Sequence, residues 1–353
     1  MPPLPPIDAA TCGALFKAGV ERFLPGRRAL VLGHFDADGL AAAAILVRAL
    51  ERSGRGCDVR IVGKGENAWS GEMRDELERR APGGLVVADL GVREGELLPG
   101  VPAIVVDHHV PAGVPGEALV LSGHGAEPEP TSALLAYWCA QGLGDNRDLL
   151  WLAAIGLVGD MAEEAGFAEM AEAQRLYGKT ALRSAVSLLN APRRAAAADA
   201  GPSLALLLKG DGPKDVTSGR FAETEALLAA KAEVRDALEA AKRTAPSVRG
   251  DVALIRFSSP CQIHPLVAQQ WRGRLRDKIV LAANTGYRPG WVHFAARTAS
   301  GADLIDFLAA RRPAGADGHY GNGHRQATGG ALRPADWNDF VAGLGFPEER
   351  VEA

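Results

Sequence analysis

The chain has 353 residues, 47% apolar and 23% charged, with a net charge of −4 and a pI of about 6.1. That length suits two domains, and the composition is that of a globular protein rather than a disordered or fibrous one. No apolar run reaches membrane-spanning length, the start MPPLPPIDAATC has neither the basic nor the apolar stretch of a signal peptide, and the mild acidity excludes a protein that coats duplex nucleic acid. A cytoplasmic protein with no membrane partner is therefore expected. The four cysteines, Cys12, Cys57, Cys139 and Cys261, are scattered and form no CxxC pair, so they read as structural thiols rather than zinc ligands or a disulfide framework.

In chain order, RALVLGHF (28–35) is an apolar, β-branched run and predicts a buried strand; GLAAAAILVRALERSG predicts the helix that follows it. CDVRIVG (57–63) is a second strand, and SGEMRDELERRAPGG is a helix capped by Ser70. GLVVADLG (84–91), AIVVDHH (103–109) and ALVLSG (118–123) complete five strands. Apolar strands alternating with helices predict an α/β fold with a parallel sheet covered on both faces. Helices are expected over 131–142, 147–165 and 167–190, a Pro/Gly/Ala-rich junction over 190–215 and a long helix over 221–245. The pattern then returns to strands at 251–258, 278–286 and 290–298, with a helix in GADLIDFLAARR and a glycine-rich segment over 315–332.

Chemistry-bearing residues gather at the strand ends. GHFDADGL puts His34, Asp36 and Asp38 at alternate positions, one face of an extended segment, with Gly39 to turn the backbone into the next helix. Strand three ends in Asp89, strand four in Asp107-His108-His109, and an apolar helix runs into Asp160. The carboxyl edge of an open α/β sheet is where ligands bind. Each residue alone has an ordinary explanation, such as a turn, a helix cap or an ion pair. Together, so many carboxylates and imidazoles at one edge would raise one another's pKa values, and cations relieve that cost. Oxygen and imidazole donors without thiolate suit Mn²⁺, then Mg²⁺, Co²⁺ or Zn²⁺. The ligand count suits two ions sharing a bridging carboxylate, an arrangement that generates hydroxide and clamps a phosphoryl group.

The run His34-x-Asp36-x-Asp38-Gly39, Asp89, Asp107-His108-His109 and Asp160 resembles the four motifs of the DHH phosphoesterase family. The tail Gly321-Asn322-Gly323-His324 resembles the GGGH motif of the associated DHHA1 domain, with Asn322 in place of a glycine. Asn tolerates the left-handed backbone, yet the substitution alters the phosphate grip the motif implies. The resemblance implies a parallel-sheet DHH domain over 1–190, a linker and connecting helix over 191–245 and a smaller α/β DHHA1 domain over 246–345, with the active-site cleft between them. It implies two Mn²⁺ ions, with Mg²⁺ or Co²⁺ as substitutes. His34, Asp36 and Asp89 would hold one; Asp38, Asp89, His108 and Asp160 the other, with Asp89 bridging. His109 would face the phosphate and Asp107 would position His108. Arg297, Gly321, Asn322, Gly323 and His324 would bind substrate. His124, His264, His293 and His319 read as structural.

The form HFDADG resembles RecJ-like members, which implies a Mn²⁺-dependent hydrolase acting on single-stranded DNA or RNA from an end, an activity of the DNA-repair kind, by a metal-activated hydroxide. The alternatives are hydrolysis of very short RNA, of 3′-phosphoadenosine 5′-phosphate or of cyclic dinucleotides, and a non-catalytic nucleotide-binding protein on the same scaffold. Arg272, Arg274, Arg276, Lys278, Arg311, Arg312 and Arg325 are candidate guides for a strand or short oligonucleotide. A homodimer is left open.

Overall fold

The computed structural model describes residues 7–316 and 320–352, so His319 lies outside the described residues. The first half of the chain runs α1 (Ala9–Glu21), β1 (Ala29–His34), α2 (Ala37–Arg52), β2 (Cys57–Val62), α3 (Gly71–Arg80), β3 (Gly84–Ala88), β4 (Ala103–Asp107), β5 (Leu119–Ser122), α4 (Ser132–Gln141), α5 (Leu150–Gly159), α6 (Ala168–Tyr177) and α7 (Lys179–Leu189). The five strands form one parallel sheet in the order β2-β1-β3-β4-β5. Both faces are covered, as the unbroken apolar runs require. Leu30 and Leu32 of β1 pack with Met73 and Leu77 of α3, while Ala29 and Val31 pack with Phe16 of α1 and Leu40 of α2. Helix α2 is buried almost throughout its length, from Ala37 to Leu50, which is why its sequence is apolar on every side. α1 was not legible from pattern alone. Its Cys12 sulfur lies 3.3 Å from that of Cys139 in α4, both thiols fully buried.

Two expected helices are shorter than their sequence patterns. The 147–165 segment ends its helix at Gly159, and the 167–190 segment is split between α6 and α7 at Gly178, whose φ of 83° is left-handed.

The chain continues through α8 (Ala191–Arg194), α9 (Gly201–Lys209), α10 (Pro213–Thr217), α11 (Glu223–Ala241), β6 (Ser247–Arg249), β7 (Val252–Phe257), α12 (His264–Arg274), β8 (Ile279–Arg288), β9 (Trp291–Thr298), α13 (Leu304–Ala309), β10 (Tyr320–His324), β11 (Ala327–Leu332) and α14 (Pro334–Gly343). It divides into two compact units, residues 1–193 with 198–229, and residues 194–197 with 230–353. The segment read as a junction is therefore folded: its Leu206 and Leu207 are fully buried in the first unit's core, and the boundary falls within α11.

The second unit carries a mixed sheet in the order β10-β11-β9-β8-β7-β6, in which only β7 and β8 run parallel. One face packs on α13 and α14 through Leu304, Leu308, Trp337 and Phe340. The other packs on α12 through Val267 and Ala268 and on α11 through Val234 and Ala241. The glycine-rich tail holds the hairpin β10–β11, with a register shift between Tyr320 and Asn322. Gly321 (φ 82°) and Gly323 (φ 139°) supply backbone conformations that side chains resist. No helix among the described residues is long and apolar enough to cross a membrane.

His264 opens α12 and is 6% exposed, with its ring among those of Tyr287 and His293. Its Nδ1 is buried without a hydrogen-bond partner. Burial, with His293 and Arg297 adding positive charge, lowers its pKa to about 3. The unfolded chain protonates this histidine below about 6.5 while the folded one refuses the proton until about 3, so its contribution is complete above the unfolded value and lost as pH falls through that window. Denaturant titrations of wild type and His264→Gln from pH 7 to 4.5 should show a steeper loss of stability in the wild type; parallel curves would contradict it.

Candidate metal centre

The carboxyl edge of the parallel sheet collects the predicted residues by several different local devices. β1 delivers His34 at its last position. Asp36 then caps α2, its Oδ1 accepting the Gly39 N–H at 3.1 Å. The helix starts so early that Asp38 does not share one extended face with His34 and Asp36, as alternation predicted. It lies in the first helical turn, fully buried, where its two oxygens accept the N–H groups of Ser132 (2.9 Å) and Ala133 (3.0 Å) at the start of α4. Gly39 is likewise not a turn residue. It sits inside α2, and a Cβ there would lie 2.5 Å from that of His34.

Asp89 follows β3 and is 4% exposed. Its backbone is left-handed (φ 62°), which costs a non-glycine residue about 1–2 kcal/mol. The conformation is enforced from both ends: its N–H donates to the Val106 carbonyl at 3.1 Å, and its Oδ1 accepts the Ser132 hydroxyl at 2.9 Å. Strain held this way is typical of functional positions.

β4 ends at Asp107 and hands over to the two histidines. Asp107 does not position His108. Its Oδ1 accepts the His109 N–H at 2.7 Å and lies 3.0 Å from His109 Nδ1, while its Oδ2 accepts the Gly91 N–H at 2.7 Å. Residues two apart share a side of an extended chain, so 107 meets 109 and 108 turns away. Opposite His108 Nδ1, at 3.8 Å, is Glu129.

Asp160 closes α5. The next two N–H groups bond back into the helix, Met161 to Val158 (3.3 Å) and Ala162 to Leu157 (2.8 Å), the pattern that ends a helix on a left-handed residue. That residue is Met161, with φ 59°.

Three groups of side chains bring their ligand atoms within 4.8 Å of one another: His34, Asp36 and Asp89; Asp38, His108 and Asp160; and Asp89, His108 and His109. The closest approaches are 3.2 Å between His34 Nδ1 and Asp36, 3.5 Å between His34 Nδ1 and Asp89, 3.2 Å between His108 Nε2 and Asp160, and 3.6 Å between His108 Nε2 and Asp89. Asp89 thus lies beside both histidines. Burial opposes charge on His34, but Asp36 and Asp89 overcome it and raise the imidazole to about 10. Burial likewise opposes charge on His108, and Asp160, Asp38 and Asp89 raise it to about 10. Burial and then Asp36 lift Asp89 to about 6, while burial with Asp89 and Asp160 pushes Asp38 well above the usual carboxylate range. The cluster holds more negative charge than its surroundings balance, and it draws protons to do so. A divalent cation would satisfy the same lone pairs. His108 Nε2 is buried and makes no hydrogen bond, and the donors are imidazole and carboxylate without thiolate. That set fits a borderline or hard divalent ion.

Three supporting residues had no sequence signal. Arg193 donates from Nη1 to Asp36 Oδ2 at 2.8 Å, which with His34 keeps Asp36 ionised against its burial. Asn190 accepts the Ala37 N–H at 3.1 Å, and Ser132 joins Asp38 to Asp89. All three reach the cluster only through folding. Thr131 caps α4 beside Ser132, its side chain accepting the Leu134 N–H.

The expected substrate residues lie in the second unit. Arg297 of β9 pairs with Ala327 of β11, which pairs with His324 of β10, so the three form one row across the sheet. Arg297 donates to the carbonyls of Ala296 (2.8 Å) and Thr328 (3.1 Å). Gly321, Asn322 and Gly323 are part of β10. Among the candidate guides, Arg325 meets Asp303 and Lys278 meets Asp277.

No family model matches the chain. It is 33% identical over 159 residues to the single-stranded-DNA-specific exonuclease RecJ of Thermus thermophilus and 29% identical over 170 residues to that of Escherichia coli. This similarity supports a RecJ-like assignment among the DHH phosphoesterases. The matches cover 40% and 39% of the chain, and the chain spans only 24% and 30% of those relatives' own lengths. The fold of this RecJ-like chain is also that of solved RecJ structures. One bound to manganese superposes with a TM-score of 0.65 at 20% identity, over 99% of this chain and 96% of that one. The Mn²⁺ complex of Thermus thermophilus RecJ gives 0.67 at 21%, over 98% and 56%.

Gly156 of α5 tests how tightly the centre is packed. A Cβ there would lie 2.1 Å from Asp38 Oδ1 and 2.4 Å from the Ala133 Cβ. Gly156→Ala should cost about 1–3 kcal/mol in denaturant unfolding; an unchanged midpoint would show that Asp38 is free to move.

Proposed function

We propose that this chain is a divalent-metal-dependent phosphodiesterase that hydrolyses single-stranded DNA or RNA from an end. The observation that carries the reading is Asp89, a buried carboxylate within ligand distance of both His34 and His108 and so shared between two three-residue groups. His34, Asp36 and Asp89 would hold one Mn²⁺, and Asp38, Asp89, His108 and Asp160 a second, with Mg²⁺ or Co²⁺ as substitutes. What such ions supply is positive charge against phosphate oxygens and a better water nucleophile at neutral pH.

The chain's own residues do the rest. Ser132 and the first turn of α4 fix Asp38 and Asp89, and Arg193 and the Gly39 N–H fix Asp36, so these side chains are set before anything binds. Asp107 holds His109 through Nδ1, which leaves Nε2 as the nitrogen for a phosphate oxygen; the ring is half exposed. Through Asp107, His109 also has a raised pKa, against burial, so it can carry a proton to charge developing on that oxygen. In the second unit, taken as the DHHA1 substrate domain, Arg297 and His324 would grip phosphate, with the Gly321–Gly323 backbone beside them. RecJ likeness favours a nucleic-acid strand over the alternatives of short RNA, 3′-phosphoadenosine 5′-phosphate or cyclic dinucleotides.

Asp89→Ala should remove Mn²⁺ binding in a calorimetric titration and abolish hydrolysis, with the circular dichroism spectrum kept. His109→Ala should keep Mn²⁺ binding and lower kcat by about 10²–10³; loss of metal in that variant would make His109 a ligand instead. A Mn²⁺ assay on end-labelled DNA and RNA strands, cyclic dinucleotides and 3′-phosphoadenosine 5′-phosphate decides the substrate. Cleavage of the small nucleotides alone would overturn the strand reading.

A further inference from the structure

Met161 is out of place on two independent counts. It occupies the left-handed position that ends α5, with φ 59°, where glycine is the residue without strain. Its side chain is also 89% exposed, so packing returns nothing for the strain. A large apolar group in water and a resisted backbone, at a position where glycine would remove both, point to a contact made outside the folded chain. Its place indicates the contact. The preceding residue is Asp160, whose carboxylate is 3.2 Å from His108 Nε2. Val110, directly after His109, is likewise 73% exposed, and the His108 and His109 rings are 4.6 Å apart. An exposed apolar residue therefore directly follows both Asp160 and His109, next in the chain to a charged cluster that suits a phosphodiester.

We infer that Met161 is a platform for the nucleobase attached to the phosphate held at the cluster. This rests on the strand reading above and deepens it. A thioether is flat-contacting and polarisable, packs on any aromatic ring and reads no hydrogen-bond pattern, so the contact holds each base in turn as a strand is shortened. Phosphate contacts alone could not tell a nucleotide from a bare sugar phosphate; this one can.

The test compares single-stranded oligodeoxynucleotides that carry either a base or an abasic sugar at the scissile terminal position, with Mn²⁺. Wild type should show the lower KM for the base-bearing strand. Met161→Ala and Met161→Gly should each raise that KM about 5- to 10-fold, to the abasic level, with little change for the abasic strand. Met161→Gly should also raise Tm by about 2–4 °C, and Met161→Ala should not. Variants that discriminate as wild type does would overturn the contact while leaving the strand reading intact. Wild type inert on every strand would overturn both. A lower Tm for Met161→Gly, or weaker calorimetric Mn²⁺ binding by Met161→Ala, would make Met161 a structural residue and sink the inference.

Discussion

Buried negative charge is the constraint around which the first unit is organised. Asp38 and Asp89 are almost inaccessible to water, while Asp36 lies beside His34 and Asp160 beside His108. Unpaired carboxylates in an apolar interior are among the most expensive things a fold can contain. Here the cost is spread over a helix start, a serine hydroxyl, an arginine and two imidazoles rather than met by one salt bridge. Each partner fixes a direction as well as offsetting a charge, so the same contacts that make the cluster tolerable also make it rigid.

The surrounding architecture follows from that requirement. A parallel sheet sends the ends of β1, β3 and β4 to one edge, and no antiparallel hairpin could do so with neighbouring strands. Helix α4 must begin at this edge, because its first N–H groups are the donors for Asp38. Helix α5 must end there, because Asp160 caps its last turn, and Gly156 must lack a side chain for α5 to pass Asp38. The apolar sequences of α2 and α5 are the complement of this arrangement: with charge concentrated at one edge, the rest of the interior can be oil.

Much of this was legible in the sequence because it is local. Strands that are apolar on both faces, the His-x-Asp-x-Asp run at the end of β1, the Asp-His-His at the end of β4 and the apolar helix running into Asp160 all lie within short windows, and the structure brings the acidic and imidazole side chains together. What was not legible depends on distant chain. Arg193 sits in an Ala- and Arg-rich stretch without periodicity and gains meaning only 157 residues away, at Asp36. The resemblance implied that Asp107 positions His108, yet its Oδ1 meets the His109 N–H and lies beside His109 Nδ1. The glycine-rich tail carries no strand pattern, since glycine disfavours strands, and only the pairing of β10 with β11 makes it one. Helices α1, α12 and α14 carry weak periodicity, and neighbouring elements decide them.

The first unit is not one continuous stretch of chain: it comprises residues 1–193 and then resumes at 198–229. This has a consequence for how the protein is made. Leu206, Leu207, Val216 and Leu227 complete the core beneath α2 and α7, and Arg193 completes the partners of Asp36. During synthesis the five strands emerge early, but the repelling carboxylates at their ends lack a full set of partners until Arg193 has left the ribosome, and the core is incomplete until Leu227 has. The nascent sheet therefore waits, with its most unfavourable electrostatics unresolved, on contacts of high sequence separation, the kind that form last.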